Sequence, residues 1–216
     1  MAVVLAIVVA VLAFLLGSIP WGVIISRVVY GKDIRAEGSG NIGTTNAMRS
    51  LGKAGGAAVF LLDFGKGLLA GFIGQQCASI AGNGDVYLAQ VFVALAFLFA
   101  ILGHVFSPWL GFKGGKGIAV AVGCLFFSFG PVGALAELAL FAVLVIATRY
   151  VSVGSLAAAI ACPFFSLYYF WGNPLAWLLS TAGALVVIWA HRGNIQRLLA
   201  GEERRIGSKS ASRSES

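Results

Sequence analysis

The chain has 216 residues, of which 59% are hydrophobic and only 11% charged, and it carries a formal net charge of +7. So little charge would leave a soluble fold of this size short of polar surface, which places the chain in a bilayer. The positive excess fits ordinary membrane topology and contact with anionic lipid; no basic stripe carries the interleaved aromatics that nucleic-acid binding calls for.

A spanning helix needs about 20 mainly apolar residues. Seven segments qualify, at about 3–27, 54–76, 86–109, 117–130, 132–148, 152–171 and 174–190. The first has no Lys or Arg before it and no clear cleavage site after it, so it reads as a span rather than a signal peptide. The fourth and fifth are short and meet at Gly130 and Pro131, either a tight turn between two spans or the tip of one broken, re-entrant hairpin. Cys77, Cys124 and Cys162 lie in apolar stretches without metal spacing and read as packed thiols. The expected fold is all-α, a polytopic membrane bundle of about seven transmembrane helices forming one domain over residues 1–206. Residues 207–216 read as a disordered tail or an expression remnant.

Lys and Arg set the orientation. Arg27, Lys32, Arg35, Arg49 and Lys53 occupy the first connection, Lys113 and Lys116 the third, Arg149 the fifth, and six more follow His191. The connections near 79–85, 130–131 and 171–174 have none. Seven spans with the N-terminus outside and the C-terminus cytoplasmic bring every basic connection to the cytoplasmic face.

Three polar, glycine-rich segments interrupt the apolar pattern. In 38–49, GSGNIGTTNAMR, the glycines alternate with Ser39, Asn41, Thr44, Thr45 and Asn46. Such a loop can turn backbone N–H groups and hydroxyls around an anion, with the planar fork of Arg49 beside it. The plain alternative is a surface loop rich in turn formers. Within the second span, Asp63 and Lys66 stand three residues apart and can pair. His104 follows near the end of the third span, where an imidazole needs a partner or a wet cleft.

The second segment, GFKGGKG at 111–117, ends where a helix begins at Ile118. Lys113, Gly114, Gly115, Lys116 and Gly117 in front of a helix N-terminus are suited to an anion, or else form a flexible turn whose lysines fix topology. Glu137 stands alone in the fifth span with no assigned role. The third segment, HRGNIQRLLAGEE at 191–203, puts His191, Asn194 and Arg197 on one helical face, with Glu203 joining them if the helix continues past Gly201. The alternative is an amphipathic interfacial helix, which leaves Asn194 unexplained.

The stretches GSGNIGTTNAMR, LLDFGKG, GHVFSPWLGFKGGKGIA and HRGNIQRLLAGEE, in this order, resemble the bacterial acyl-phosphate:glycerol-3-phosphate acyltransferase family, the PlsY family. The resemblance implies an inner-membrane enzyme with a cytoplasmic site that moves a fatty acyl group from acyl-phosphate to the sn-1 hydroxyl of glycerol 3-phosphate. Lysophosphatidic acid and phosphate would be released, without metal or other cofactor. It implies catalytic roles for Ser39, His104, His191 and Asn194. Substrate binding would fall to Asn41, Thr44, Thr45, Asn46, Arg49, residues 113–117 and Glu203. The general base is left among His104, His191 and a substrate phosphate. Val120 and Ala121 stand where the family commonly has threonines, and Gly193 replaces a frequent Ser. A competing class, a transporter for an anionic metabolite, needs polar or broken helices near the midplane, often in two related halves. Only the Asp63–Lys66 pair and the Gly130–Pro131 break answer to that.

Overall fold

The computed structural model describes residues 1–82 and 84–207. The expected tail therefore lies, apart from Gly207, outside the described residues. Among the described residues ten α-helices run in chain order: α1 (Ala2–Ser18), α2 (Trp21–Val28), α3 (Thr44–Ser50), α4 (Gly52–Ala81), α5 (Val86–Val105), α6 (Ile118–Ser128), α7 (Gly130–Thr148), α8 (Val151–Tyr169), α9 (Pro174–Ala190) and α10 (Arg192–Leu199). Among the described residues there is no strand.

The first apolar segment is two helices, because Pro20 cannot donate a helical hydrogen bond and holds Ile19 in an extended conformation. Counting α1 and α2 together, five helical stretches are long and apolar enough to cross a membrane, or six if α9 and α10, bent by 52°, form one broken span. The expected seventh is α6. With 11 residues it is about 16 Å long, roughly half the ~30 Å hydrocarbon core. Gly130, at φ 67°, turns the chain directly into α7, so α6 runs inward from the lysine segment and α7 runs back.

α5 is the central post, packed against α1, α4, α6 and α9. Helices gain little hydrophobic energy from meeting in lipid, so contact depends on close fit between small residues. A Cβ on Gly17 would strike the Ala100 carbonyl and one on Gly103 the Phe14 carbonyl, locking α1 to α5. Gly67 and Gly123 lock α4 to α6 in the same reciprocal way, against the Val120 and Phe64 carbonyls. Apolar side chains such as Val132, Ile146 and Phe164 point outward, a surface that hydrocarbon satisfies.

One buried cluster ties α1, α4 and α5 together. The Lys66 ammonium forms an ion pair with the Asp63 carboxylate at 2.8 Å and donates to the Ile19 carbonyl, at the α1–α2 break, at 2.7 Å. It also lies 3.0 Å from His104 Nδ1.

Gly103→Val should lower the melting temperature in detergent by the equivalent of about 1–3 kcal/mol or more, because a backbone carbonyl cannot yield as a side chain can. Gly65→Ala, on the same bundle but with nothing within 4 Å of a new Cβ, should leave it unchanged or slightly raised.

Candidate active site

The three polar segments meet at one end of the bundle, and each is positioned by a different device. The first loop is built around the buried Asn46 side chain. Its Oδ1 accepts from the Ser39 amide at 2.9 Å, and its Nδ2 faces the carbonyls of Ile34, Glu37 and Asn41 at 3.2, 3.0 and 2.9 Å. Asn41 Oδ1 in turn accepts from the Gly43 amide. Gly38 takes φ 57°, and a Cβ there would strike Asn46 Oδ1.

In the second segment the Gly114 and Gly115 amides donate to the Val105 and His104 carbonyls, both at 3.0 Å. The expected cradle of backbone N–H groups is thus corrected in both loops: the amides of Ser39, Gly40, Gly43, Gly114 and Gly115 are spent on the protein itself. The cationic side chains that line the cavity are Arg49, Lys116, Arg197 and Arg204. Gly114 and Gly115 are needed for close approach, since a Cβ on either would collide with His104.

The third segment is not one long helix. α10 ends at Leu199, and Gly201, at φ 71°, turns the chain back across the site. Arg149 and Ile206 hold that return, the Ile206 amide donating to the Arg149 carbonyl at 2.8 Å. Glu203 therefore meets Asn194 and Arg197 by a chain reversal, where continued helical spacing was expected. Asn194 Nδ2 donates to Glu203 Oε1 at 2.7 Å, and Arg197 Nε to Glu203 Oε2 at 2.8 Å. Lys116 closes the row by donating to Asn194 Oδ1.

These groups line a cavity of about 500 Å³. Its mouth holds Ser39, Asn41, Thr44, Thr45, Asn46 and Arg49 from the first loop, and Lys116 and Gly117 from the second. His104, His191, Asn194 and Glu203 complete the expected set. Lys113 does not join them. It is solvent-exposed, outside the lining, and Gly114 and Gly115 are likewise structural. Below the mouth the wall becomes apolar, with Phe97, Leu125, Phe141 and Val187 among its residues. An open basin of about 310 Å³ adjoins the mouth and shares Ser39, Asn41, Lys116, Asn194 and Arg197 with it.

Electrostatically the mouth is an anion trap. Arg49, Lys116, Arg197 and Arg204 face one carboxylate there, Glu203. Burial lowers the Lys116 ammonium to about 8; Glu203 opposes that shift, and Arg197 and Arg49 each add a smaller push in the same direction as burial. Burial and Arg204 also weaken the hold of Arg49 on its proton, and among the described residues its guanidinium has no hydrogen bond to protein. Burial pushes the Glu203 carboxyl up, but bonds from Asn194 and Arg197 more than reverse this and hold it ionised. Thr44 Oγ1 is buried, lines the cavity and has no protein partner.

The two histidines differ in what they offer. His191, at the α9–α10 corner, places Nδ1 2.8 Å from the Val187 carbonyl, so Nδ1 carries the proton and Nε2 is the acceptor. At His104 the Lys66 ammonium donates to Nδ1, which leaves Nε2 as an N–H donor lying against Gly115. The geometry provides a proton acceptor at His191 and a donor at His104.

Sequence reasoning left Arg204, Ser152, Ser155 and Glu137 out of the site, yet all line the cavity. Ser152 and Ser155 stand three apart in the first half of α8, whose other residues there are apolar, a polar stripe that could have marked the helix as facing a cavity. Arg204 carried no signal, because nothing in its spacing reveals the reversal at Gly201.

Residues 7–201 match the family model described as glycerol-3-phosphate acyltransferase. A curated relative from Maricaulis maris with that name is 44% identical over 91% of this chain and 85% of its own length. Another, from an Anaeromyxobacter species, is 42% identical over 94% and 97%. Crystal structures of PlsY, an integral membrane glycerol 3-phosphate acyltransferase, superpose with a TM-score of 0.80 for the glycerol 3-phosphate form and 0.78 for the lysophosphatidic acid form. The first is 37% identical and covers 94% of this chain and 96% of its own.

Asn46→Ala should expose the first loop to limited proteolysis between residues 37 and 43 and cost about 2–4 kcal/mol, since several buried polar groups lose their partner together. Intact loops at wild-type protease concentration would show that Asn46 is not their organiser.

Proposed function

Because the chain belongs to the glycerol-3-phosphate acyltransferase family, we propose that it transfers a fatty acyl group from acyl-phosphate to the sn-1 hydroxyl of glycerol 3-phosphate. The observation that carries this reading is the junction of two spaces: an open cationic basin and a deep apolar cavity that share Lys116 and Asn194. A small phosphorylated polyol fits the basin, and a lipid with a phosphorylated head fits the cavity. Their shared wall is where a hydroxyl would meet an acyl carbonyl.

In the reaction, the hydroxyl oxygen forms a bond to the acyl carbonyl carbon, the bond from that carbon to the phosphate oxygen breaks, and inorganic phosphate departs with the electron pair. Phosphate leaves readily, so no covalent enzyme intermediate is needed. His191 Nε2 accepts the hydroxyl proton. Arg49 and Lys116 hold phosphate oxygens, while Ser39, Thr44 and Asn194 orient the hydroxyl and the carbonyl. His104 supports the Gly114–Gly115 turn from behind.

The same reading puts the mouth at the cytoplasmic face of a bacterial inner membrane, with the N-terminus outside. The helix directions support it: α6 leaves from the mouth, α7 returns to Arg149 beside Ile206, and α8 and α9 then go out and back to His191. Seven membrane-entering segments result, of which α6 is the short one.

The assay is purified protein in lipidic or detergent medium with glycerol 3-phosphate and either acyl-phosphate or acyl-CoA, following lysophosphatidic acid and phosphate release. Product from acyl-phosphate alone is expected; product only from acyl-CoA overturns the donor, and none from either brings back the transporter reading. His191→Ala should lower kcat by about 10²-fold or more, the usual value of general-base catalysis. Near-normal turnover would move the proton to a substrate phosphate.

Lys116 binds phosphate only while protonated, and its value of about 8 sets an alkaline limit. Above that pH the free enzyme loses the charge, so KM for glycerol 3-phosphate should rise with pH. Lys116→Arg, which stays charged, should flatten that rise whatever its kcat. Lys113→Ala should change KM less than about twofold, as expected of an exposed surface charge.

A further inference from the structure

The floor of the cavity is not apolar. Glu137 of α7 lines it, only 4% exposed, and Oε2 has no hydrogen-bond partner among the described residues. Cys162 of α8 lines the cavity at the same depth. Counted along the helices, Glu137 is 12 residues from Arg149 and Cys162 is 11 from Val151, hence about 16–18 Å from the mouth end. One leaflet of a bilayer core is about half of 30 Å. The apolar part of the cavity thus has the depth of an ordinary membrane acyl chain and ends on a carboxyl group.

We infer that Glu137 is the acyl-length determinant of this protein, the carboxyl at which the channel stops accepting methylenes. This rests on the acyl-transfer reading above, but it has its own physical cause. A buried carboxyl without a protein partner requires water or another polar group beside it. A chain that ends short of Glu137 leaves that requirement met. A longer chain presses methylenes against the carboxyl and strips its remaining polar contact, cancelling the gain of about fourfold in binding per methylene that an apolar floor would give. The other polar groups on α7 and α8 that line the cavity, Ser152 and Ser155, sit two to three turns nearer the mouth. They do not share the floor.

The test needs no turnover. Thermal stabilisation of the intact protein in detergent by a series of saturated fatty acids should rise with chain length and then level off. Glu137→Leu keeps the bulk and removes the polarity, so it should move the plateau two or more carbons longer. Glu137→Gln keeps both and should leave the plateau where it is. An unchanged plateau in Glu137→Leu, or a lengthened one in Glu137→Gln, overturns the assignment. The same variants assayed with acyl-phosphates should repeat the shift in kcat/KM. If the wild type transfers no acyl group, the activity reading falls while the fatty-acid series still decides the role of Glu137.

Discussion

Everything at the mouth depends on one buried ammonium. Lys66 is ion-paired with Asp63, donates to the Ile19 carbonyl and lies within hydrogen-bond distance of His104 Nδ1. Those partners sit on α4, at the end of α1 and on α5, so a single charge fixes three helices where α1 stops. It also fixes the tautomer of His104, whose carbonyl takes the Gly115 amide and whose ring backs the glycines before Lys116. In hydrocarbon surroundings an ion stripped of one partner is costly, by about 3–5 kcal/mol for a broken buried pair. Parting any of these helices would therefore cost the ion its partners, which makes the cluster a register pin for the bundle.

The glycines complement that pin. In a bilayer two helices gain no hydrophobic energy by touching, so approach has to be rewarded through contact area and fixed dipoles. Gly17 and Gly103 let α1 reach α5, and Gly67 and Gly123 let α4 reach α6. Gly22 does the same for the first loop, where a Cβ would strike the Ile42 carbonyl. In the polar segments the same residue type again supplies proximity. The amides of Ser39, Gly40, Gly43, Gly114 and Gly115 are bonded within the protein, and the cavity lining carries the cations and hydroxyls instead.

Much of this was legible in the sequence. Apolar run length located the long helices to within a few residues, and the Asp63–Lys66 spacing gave an ion pair that the structure contains. The clustering of Ser39, Arg49, Lys116, His191 and Asn194 followed from their common membrane face. Distinctions that depend on tertiary contacts were not legible. Lys113 and Lys116 flank the same pair of glycines, and only the hydrogen bonds of Gly114 and Gly115 to α5 decide which lysine enters the cavity. The turn at Gly130 and Pro131, by contrast, was legible: α6 ends at Ser128, and Gly130 adopts a conformation that restarts the chain in the opposite direction. Glu203 was placed correctly for the wrong reason, by helical continuation instead of the turn at Gly201.

The distribution of polarity also separates an enzyme from a transporter. A transporter must offer its cargo polar contacts near the midplane and release on both sides. Here the positive charge of the cavity gathers at one end, at Arg49, Lys116, Arg197 and Arg204, and the cavity runs from it between apolar walls to the Glu137 carboxyl, which offers an anion no attraction. A phosphorylated molecule gains strongly at the mouth and would lose all of that by moving inward, so the field retains its anions at the surface. An acyl chain experiences the opposite gradient. On the reading proposed above, a molecule bearing both a phosphate and an acyl chain would be held in one orientation, with the bond between its two parts at the level of Asn194 and His191. The cavity would then fix the reacting bond by setting two opposed solvation preferences against each other, with Lys116 and Asn194, on the wall shared with the basin, marking where they balance.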